Sequence, residues 1–225
     1  MMDLIEATVH SVYPLTDSIL QISLQPLQFH TYLAGQYLQI HHQGKAYPFS
    51  IANAPLGSHK LELHIRHSRD NPYNDEILMA IRQQGKVLIE YPNGDCHVEK
   101  LLVDKPIVFI AQGTGFSPVK AIIEQLLADG DKRPMHLFWG ARSKNDLYLE
   151  ERVMQWQSHV AHFEYTPVLS GSGFLHDVVV NNYAPLLESQ VIAAGAFDMV
   201  YKARDAFIKE GFDANHMFSD AFSFE

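Results

Sequence analysis

Ile107-Val108-Phe109-Ile110-Ala111-Gln112-Gly113-Thr114-Gly115-Phe116-Ser117-Pro118 is the stretch that decides the fold. Its first five residues form an uninterrupted apolar run, as expected of a strand covered on both faces in a parallel sheet. Two glycines then turn the chain, and Val119, Ile122, Ile123, Leu126 and Leu127 follow at helical spacing. Ser117 is the expected helix cap and Pro118 the first helical residue. A strand, a glycine turn and a helix start, in that order, aim backbone amides at one point at the positive end of a helix dipole. Pyrophosphate is the usual occupant of such a site; a tight connection with no ligand is the alternative. The third glycine of the dinucleotide fingerprint is missing, and no P-loop lysine is present.

Downstream, apolar strands at 135–139, 163–169 and 191–194 alternate with helical stretches at 147–158 and 198–209, and a short last strand is expected at 217–222. That alternation predicts an open, doubly wound α/β sheet. Upstream, from Ile5 to Val98, the period falls to two. Strands are expected at 18–24, 37–41, 61–65 and 86–90, with one helix at 72–84. Many short strands with glycines between them predict an antiparallel β-barrel. The expected organisation is therefore a barrel module at 1–102 and an α/β module at 103–225.

The 225 residues suit two small modules. The net charge of −9, with 17 basic against 26 acidic residues and no basic run, argues against a nucleic-acid partner. Cys96 is the only cysteine, which excludes an intramolecular disulfide and a cysteine-ligated iron–sulfur cluster within the chain. The start lacks the character of a signal peptide and no apolar stretch approaches a membrane span, so a cytoplasmic protein without a membrane partner is expected. Thirteen histidines raise the question of a metal. His64 and His67 fall on opposite faces of a strand, as do His41 and His42; only His159 and His162 share a helical face, and nothing completes a ligand set, so no metal is expected.

A second decisive segment is Tyr47-Pro48-Phe49-Ser50-Ile51-Ala52-Asn53-Ala54-Pro55. Pro48 lacks a backbone donor and belongs at an edge or a barrel opening, where a ligand can approach unpaired backbone. This segment resembles the Arg-Pro-Phe-Ser flavin motif of the ferredoxin–NADP reductase superfamily. The resemblance continues in order through Ala34-Gly35-Gln36-Tyr37, the Gly113 to Pro118 loop, Phe138-Trp139-Gly140-Ala141-Arg142, Ala194-Gly195-Ala196-Phe197-Asp198-Met199 and the ending Phe218-Ser219-Asp220-Ala221-Phe222. It is nearest to the small bacterial NAD(P)H-flavin reductases.

The resemblance implies a flavin-binding barrel followed by a nicotinamide-binding domain, with hydride passing from NADH or NADPH to FMN, FAD or riboflavin. It implies that Ser50 hydrogen-bonds the flavin near N5, that Pro48 and Phe49 line the ring, and that His64, Ile65 and Arg66 border its pyrimidine end. Read alone, Phe49 also fits barrel core, His64 a surface strand position and Ser50 a turn cap. Gly113, Thr114, Gly115, Phe116, Ser117 and Pro118 would hold the nicotinamide dinucleotide. Arg142 would meet a 2′-phosphate or stay solvated. Asn71, Tyr73, Phe197, Asp220 and Phe222 complete the implied cofactor set, with Asp220 a second proton donor beside Ser50.

Tyr47 stands where the family carries the Arg that meets a flavin phosphate, which implies a flavin that visits as substrate, with Tyr47 stacking on or fencing it. Arg66 or Arg69 would supply the missing charge. Reduced flavin would then pass electrons to ferric iron or a monooxygenase. Two other readings follow: an FAD-containing reductase component feeding a separate iron–sulfur protein, and a non-catalytic flavin- or nucleotide-binding module.

Overall fold

The computed structural model describes residues 4–67 and 72–224. Among the described residues, the N-terminal half forms one six-stranded antiparallel sheet from β1 (Ile5–Thr16), β2 (Ile19–Pro26), β3 (Tyr37–His42), β4 (Lys45–Ser50), β5 (Leu61–Arg66) and β6 (Lys86–Asn93). The order is β4-β3-β6-β1-β2-β5. Its two edges meet, since the Ala52 N–H just beyond β4 donates to the Glu62 carbonyl of β5 at 2.7 Å. Closure satisfies edge groups that would otherwise be left open. Alternation drives it: Ile22 and Leu24, Leu38 and Ile40, and Leu61, Leu63 and Ile65 all point inward. Helix α1 (Pro72–Gln84) closes one end of the barrel with Ile77, Leu78 and Ile81, each such burial contributing about 1.5–3 kcal/mol.

The C-terminal half, again among the described residues, is a five-stranded parallel sheet ordered β11-β10-β7-β8-β9. Its strands are β7 (Ile107–Gln112), β8 (Met135–Ala141), β9 (Phe163–Leu169), β10 (Gln190–Ala194) and β11 (Met217–Phe218). Ile107, Phe109 and Ala111 pack towards α2 (Phe116–Ala128) and α3 (Glu150–His159). Val108 and Ile110 pack towards α4 (Leu175–Asn182) and α5 (Phe197–Lys209) on the other face. The apolar run of β7 is thus covered on both sides, and the architecture is the expected antiparallel barrel followed by a doubly wound α/β module. The strand order reverses between β7 and β10, which opens a crevice at their carboxyl ends.

Three local expectations need correction. Helix α2 begins at Phe116, straight from a single 3₁₀ turn over Gly113–Gly115, so Gly115 is the cap and Ser117 is not. Pro118 fits because the first helical turn needs no intrahelical N–H. The last strand is two residues long because the chain turns into a 3₁₀ segment at Asp220. Helix α4 went unpredicted: its Val178-Val179-Val180 run is β-branched, and burial of Leu175 and Val179 overrides that propensity.

Candidate active site

The two modules enclose a cavity of about 400 Å³ at the sheet's reversal point. The barrel contributes Pro48, Phe49 and Ser50 from β4 and His64, Ile65 and Arg66 from β5. The α/β module contributes Thr114, Gly115, Ser117 and Pro118 from the glycine turn and α2, Ala194, Gly195 and Phe197 around the end of β10, and Asp220. A groove of about 700 Å³ adjoins it, lined by Gly113, Thr114, Gly140, Arg142 and the 168–175 segment. Arg66, Gln112, Thr114 and Ala196 line both spaces.

The glycine turn is braced from beneath. Trp139 is fully buried, donates its indole N–H to the Gly113 carbonyl at 3.1 Å, and stacks on Phe116 at 3.9 Å. Gly115 lets α2 approach β10, since a Cβ there would sit 2.1 Å from the Ala194 carbonyl oxygen. Ser117 is buried against the cavity; its Oγ lies near Tyr148 yet closes no hydrogen bond of ordinary geometry. A backbone cradle with a spare buried hydroxyl fits a phosphorylated ligand.

A buried polar cluster joins the modules beside the cavity. The Lys120 ammonium of α2, 4% exposed, donates to the Ala52 carbonyl at 2.8 Å and pairs with Glu62 at 3.2 Å and Glu124 at 3.0 Å. Glu62 also takes the His64 Nε2–H at 2.8 Å, which leaves Nδ1 to accept the Tyr148 hydroxyl at 3.1 Å. Burial alone would raise the Glu62 carboxyl; the His64 hydrogen bond and the Lys120 charge outweigh it and bring the group down to about 2. Burial pushes His64 below its ordinary value, against the opposing pull of the Glu62 hydrogen bond. Ala52 lies two residues beyond Ser50, and Lys120 two beyond Pro118. The cluster therefore fixes one wall of the cavity against the other.

Asp220 closes the far side. Its Oδ1 accepts the Cys96 N–H at 3.1 Å, and burial lifts its carboxyl to about 6 against the pull of that bond and one from Asp95. Gly35 makes this junction tight: at φ +108° it brings its chain within 2.5 Å, measured from a built Cβ, of the Cys96 carbonyl.

The expected site residues separate into groups. Pro48, Phe49, Ser50, His64, Ile65, Arg66, Thr114, Gly115, Ser117, Pro118, Phe197 and Asp220 meet in the cavity, and Gly113 and Arg142 lie along the groove. Tyr47 does not fence a ligand: it is buried in the barrel core and donates its hydroxyl to Glu76 of α1 at 2.9 Å, because alternation along β4 sends it inward. Phe116 is core beneath the turn. Phe222 packs against Tyr201 and the Arg204 guanidinium, away from the cavity. His64 lines the cavity, but both ring nitrogens are engaged by protein. Asn71 and the Tyr73 side chain lie outside the described residues, as does Arg69. Lys120, Glu62, Glu124 and Tyr148 were not anticipated; the one sequence signal was a Lys and a Glu at i,i+4 in an otherwise apolar helix, a spacing usually found on a solvated face. Among the described residues, no three His, Cys, Asp or Glu side chains converge to hold a metal, and no helix is long and apolar enough to cross a membrane.

A closed antiparallel barrel docked at the switch point of a doubly wound sheet defines a ferredoxin-reductase-like two-domain protein. The Amycolatopsis cytochrome P450 reductase GcoB shares the fold, with a TM-score of 0.87 at 24% identity over 97% of this chain and 69% of that one. Residues 109–205 match the oxidoreductase NAD-binding domain. The NAD(P)H-flavin reductase of Vibrio harveyi is 32% identical over 235 residues, covering 98% of this chain and 99% of that protein. The chain belongs to the NAD(P)H-flavin reductase family. It is also 35% identical over 213 residues to the CDP-6-deoxy-L-threo-D-glycero-4-hexulose-3-dehydrase reductase of Yersinia pestis, covering 91% of this chain but spanning only 64% of that relative's length.

Proposed function

We propose that the chain is an NAD(P)H-flavin oxidoreductase that takes NADH or NADPH into the groove and a flavin (riboflavin, FMN or FAD) into the cavity. One observation carries the reading: Ser50 of the barrel and the Ala194–Gly195 end of β10 face the same cavity at the strand-order reversal. Bound there, the nicotinamide supplies a hydride at C4 and the flavin accepts it at N5. The protein's part is orientation. Ser50 offers a hydroxyl to flavin N5, Pro48 and Phe49 form the wall behind the ring, and the glycine turn holds the dinucleotide's pyrophosphate. Asp220, with its carboxyl near 6, is a second proton source. Residues 1–102 would then serve the flavin and 103–225 the nicotinamide.

The inward turn of Tyr47, which puts a phenol in the barrel core where the family carries an Arg, supports a flavin bound as substrate. Ferric iron or a monooxygenase would accept electrons from the reduced flavin, in a cytoplasmic setting suited to a lone thiol. A second reading is an FAD-containing component that feeds a separate iron–sulfur protein; the match to a longer relative named as the reductase of a dehydrase favours a reductase component of this general kind. Purified protein distinguishes them. A colourless preparation that oxidises NADH or NADPH only with added flavin supports the first, and a yellow one the second. Ser50→Ala should lower the rate about tenfold, the effect of one hydrogen bond of about 1.4 kcal/mol in the transition state. An unchanged rate overturns that assignment, and no oxidation with any flavin leaves a non-catalytic binding module.

A further inference from the structure

Resting on that reading, we propose that Gln112 binds the ribose next to the nicotinamide, its side-chain amide pairing with the two adjacent ribose hydroxyls. Gln112 ends β7, the middle strand of the parallel sheet. Alternation puts it on the same face as Val108 and Ile110, which are buried towards α4 and α5. Gln112 itself is exposed, because it stands at the carboxyl edge where the crevice opens. It lines both the cavity and the groove, and among the described residues its amide makes no hydrogen bond. Of the four residues that line both spaces, Arg66 is a cation paired with Asp146, Thr114 has one hydroxyl and Ala196 has no polar side chain. Gln112 alone presents a neutral donor and a neutral acceptor side by side.

Its neighbour on β10 indicates which part of a dinucleotide passes it. A Cβ built on Gly195 would stand 2.8 Å from the Gln112 Cβ, so the bare backbone of Gly195 gives the glutamine its room. With the nicotinamide ring against Ala194–Gly195 and the pyrophosphate at the glycine turn, which begins one residue later at Gly113, Gln112 stands between the two. The unit that joins them in the dinucleotide is a ribose. Its 2′- and 3′-hydroxyls are uncharged, adjacent, and each both donor and acceptor. One carbonyl and one amino group in a plane meet such a pair with two hydrogen bonds, and hydroxyls withdrawn from water into the crevice need partners of this kind. The contact also restricts how the ring turns against the flavin, because the ring is tethered through that sugar.

The test is titration of the full chain with ADP-ribose and with ADP, which share the adenosine and both phosphates and differ by the second ribose. Gln112→Leu keeps the bulk of the side chain without its polar atoms. It should weaken ADP-ribose about five- to thirtyfold, as expected for one or two neutral hydrogen bonds, and leave ADP within about twofold of native. Gln112→Asn, one carbon shorter, should show the same selective loss, and it decides the matter if the leucine variant fails to fold. ADP-ribose affinity within about twofold of native in the variant overturns the proposal. Equal losses of ADP and ADP-ribose also overturn it, and would assign Gln112 to the pyrophosphate or to the fold. Native protein that binds riboflavin but neither nucleotide removes the nicotinamide reading itself, and this proposal with it.

Discussion

Replacing Lys120 with Met removes the cation at the centre of the module interface. Three contacts are lost: to the Ala52 carbonyl at 2.8 Å, Glu124 at 3.0 Å and Glu62 at 3.2 Å. Two carboxylates then face each other in a site where the side chain they shared is 5% exposed. Breaking a buried ion pair from one side costs about 3–5 kcal/mol. The descent of the Glu62 carboxyl from 4.5 to about 2, about 3 kcal/mol at about 1.36 kcal/mol per pH unit, is shared between the His64 hydrogen bond, which survives the substitution, and the Lys120 charge, which does not. Urea unfolding followed by Trp139 and Trp156 fluorescence should show the midpoint fall by about 1–2 M, taking a slope of about 2–3 kcal/mol per M. The triple variant Glu62→Gln/Lys120→Met/Glu124→Gln should recover most of the loss, because a neutral cluster carries no stranded charge. The pH dependence has a definite sign. A depressed carboxyl stabilises the fold above its unfolded value and loses that contribution as pH falls from about 4.5 to about 2, so the gap between native and Lys120→Met must narrow on acidification. A midpoint shift below about 0.3 M, or a triple variant no better than the single one, would refute the reasoning.

Gly115→Ala forces a Cβ to 2.1 Å from the Ala194 carbonyl; the fold should lose about 1–3 kcal/mol and ADP-ribose affinity should drop, read by thermal melting and titration. Tyr47→Phe removes the hydroxyl that donates to Glu76 and should cost about 0.5–1.5 kcal/mol, with the FMN to riboflavin affinity ratio unmoved. A changed ratio would return Tyr47 to the flavin site. Asp220 has a raised carboxyl, so its ionisation burdens the fold above pH about 6 and the burden lifts as pH falls towards 3.8. Asp220→Asn should therefore outlast native protein in denaturant above pH about 6, lose that advantage in acid, and lose any inflection near pH 6 in the rate profile.

Elements written as local periodicity were legible in the sequence. The β7 run, the glycine turn, the helix at 72–84 and strand β9 sit where the pattern of two or 3.6 places them. What local pattern does not carry is which face meets the other module. Tyr47 and Pro48 are neighbours, yet β4's alternation puts one in the core and the other at the cavity, and the barrel's closure decides which. Phe116 adjoins a ligand-type loop but is claimed by Trp139, 23 positions away. The Lys120 cluster needs residues 52, 62 and 64 from the barrel and 124 and 148 from the α/β module, so no window of sequence shows it. Helix α4 was hidden for a related reason, its β-branched run being held helical by tertiary burial.

The most direct test is to mix the purified chain with NADH or NADPH and each of riboflavin, FMN and FAD under anaerobic conditions, following loss of reduced nicotinamide and bleaching of the flavin together. Stoichiometric reduction of added flavin, slowed when the transferred hydrogen at nicotinamide C4 is deuterium and slowed again in Ser50→Ala, is the predicted result. Protein that binds both ligands but transfers no hydride between them would contradict the account.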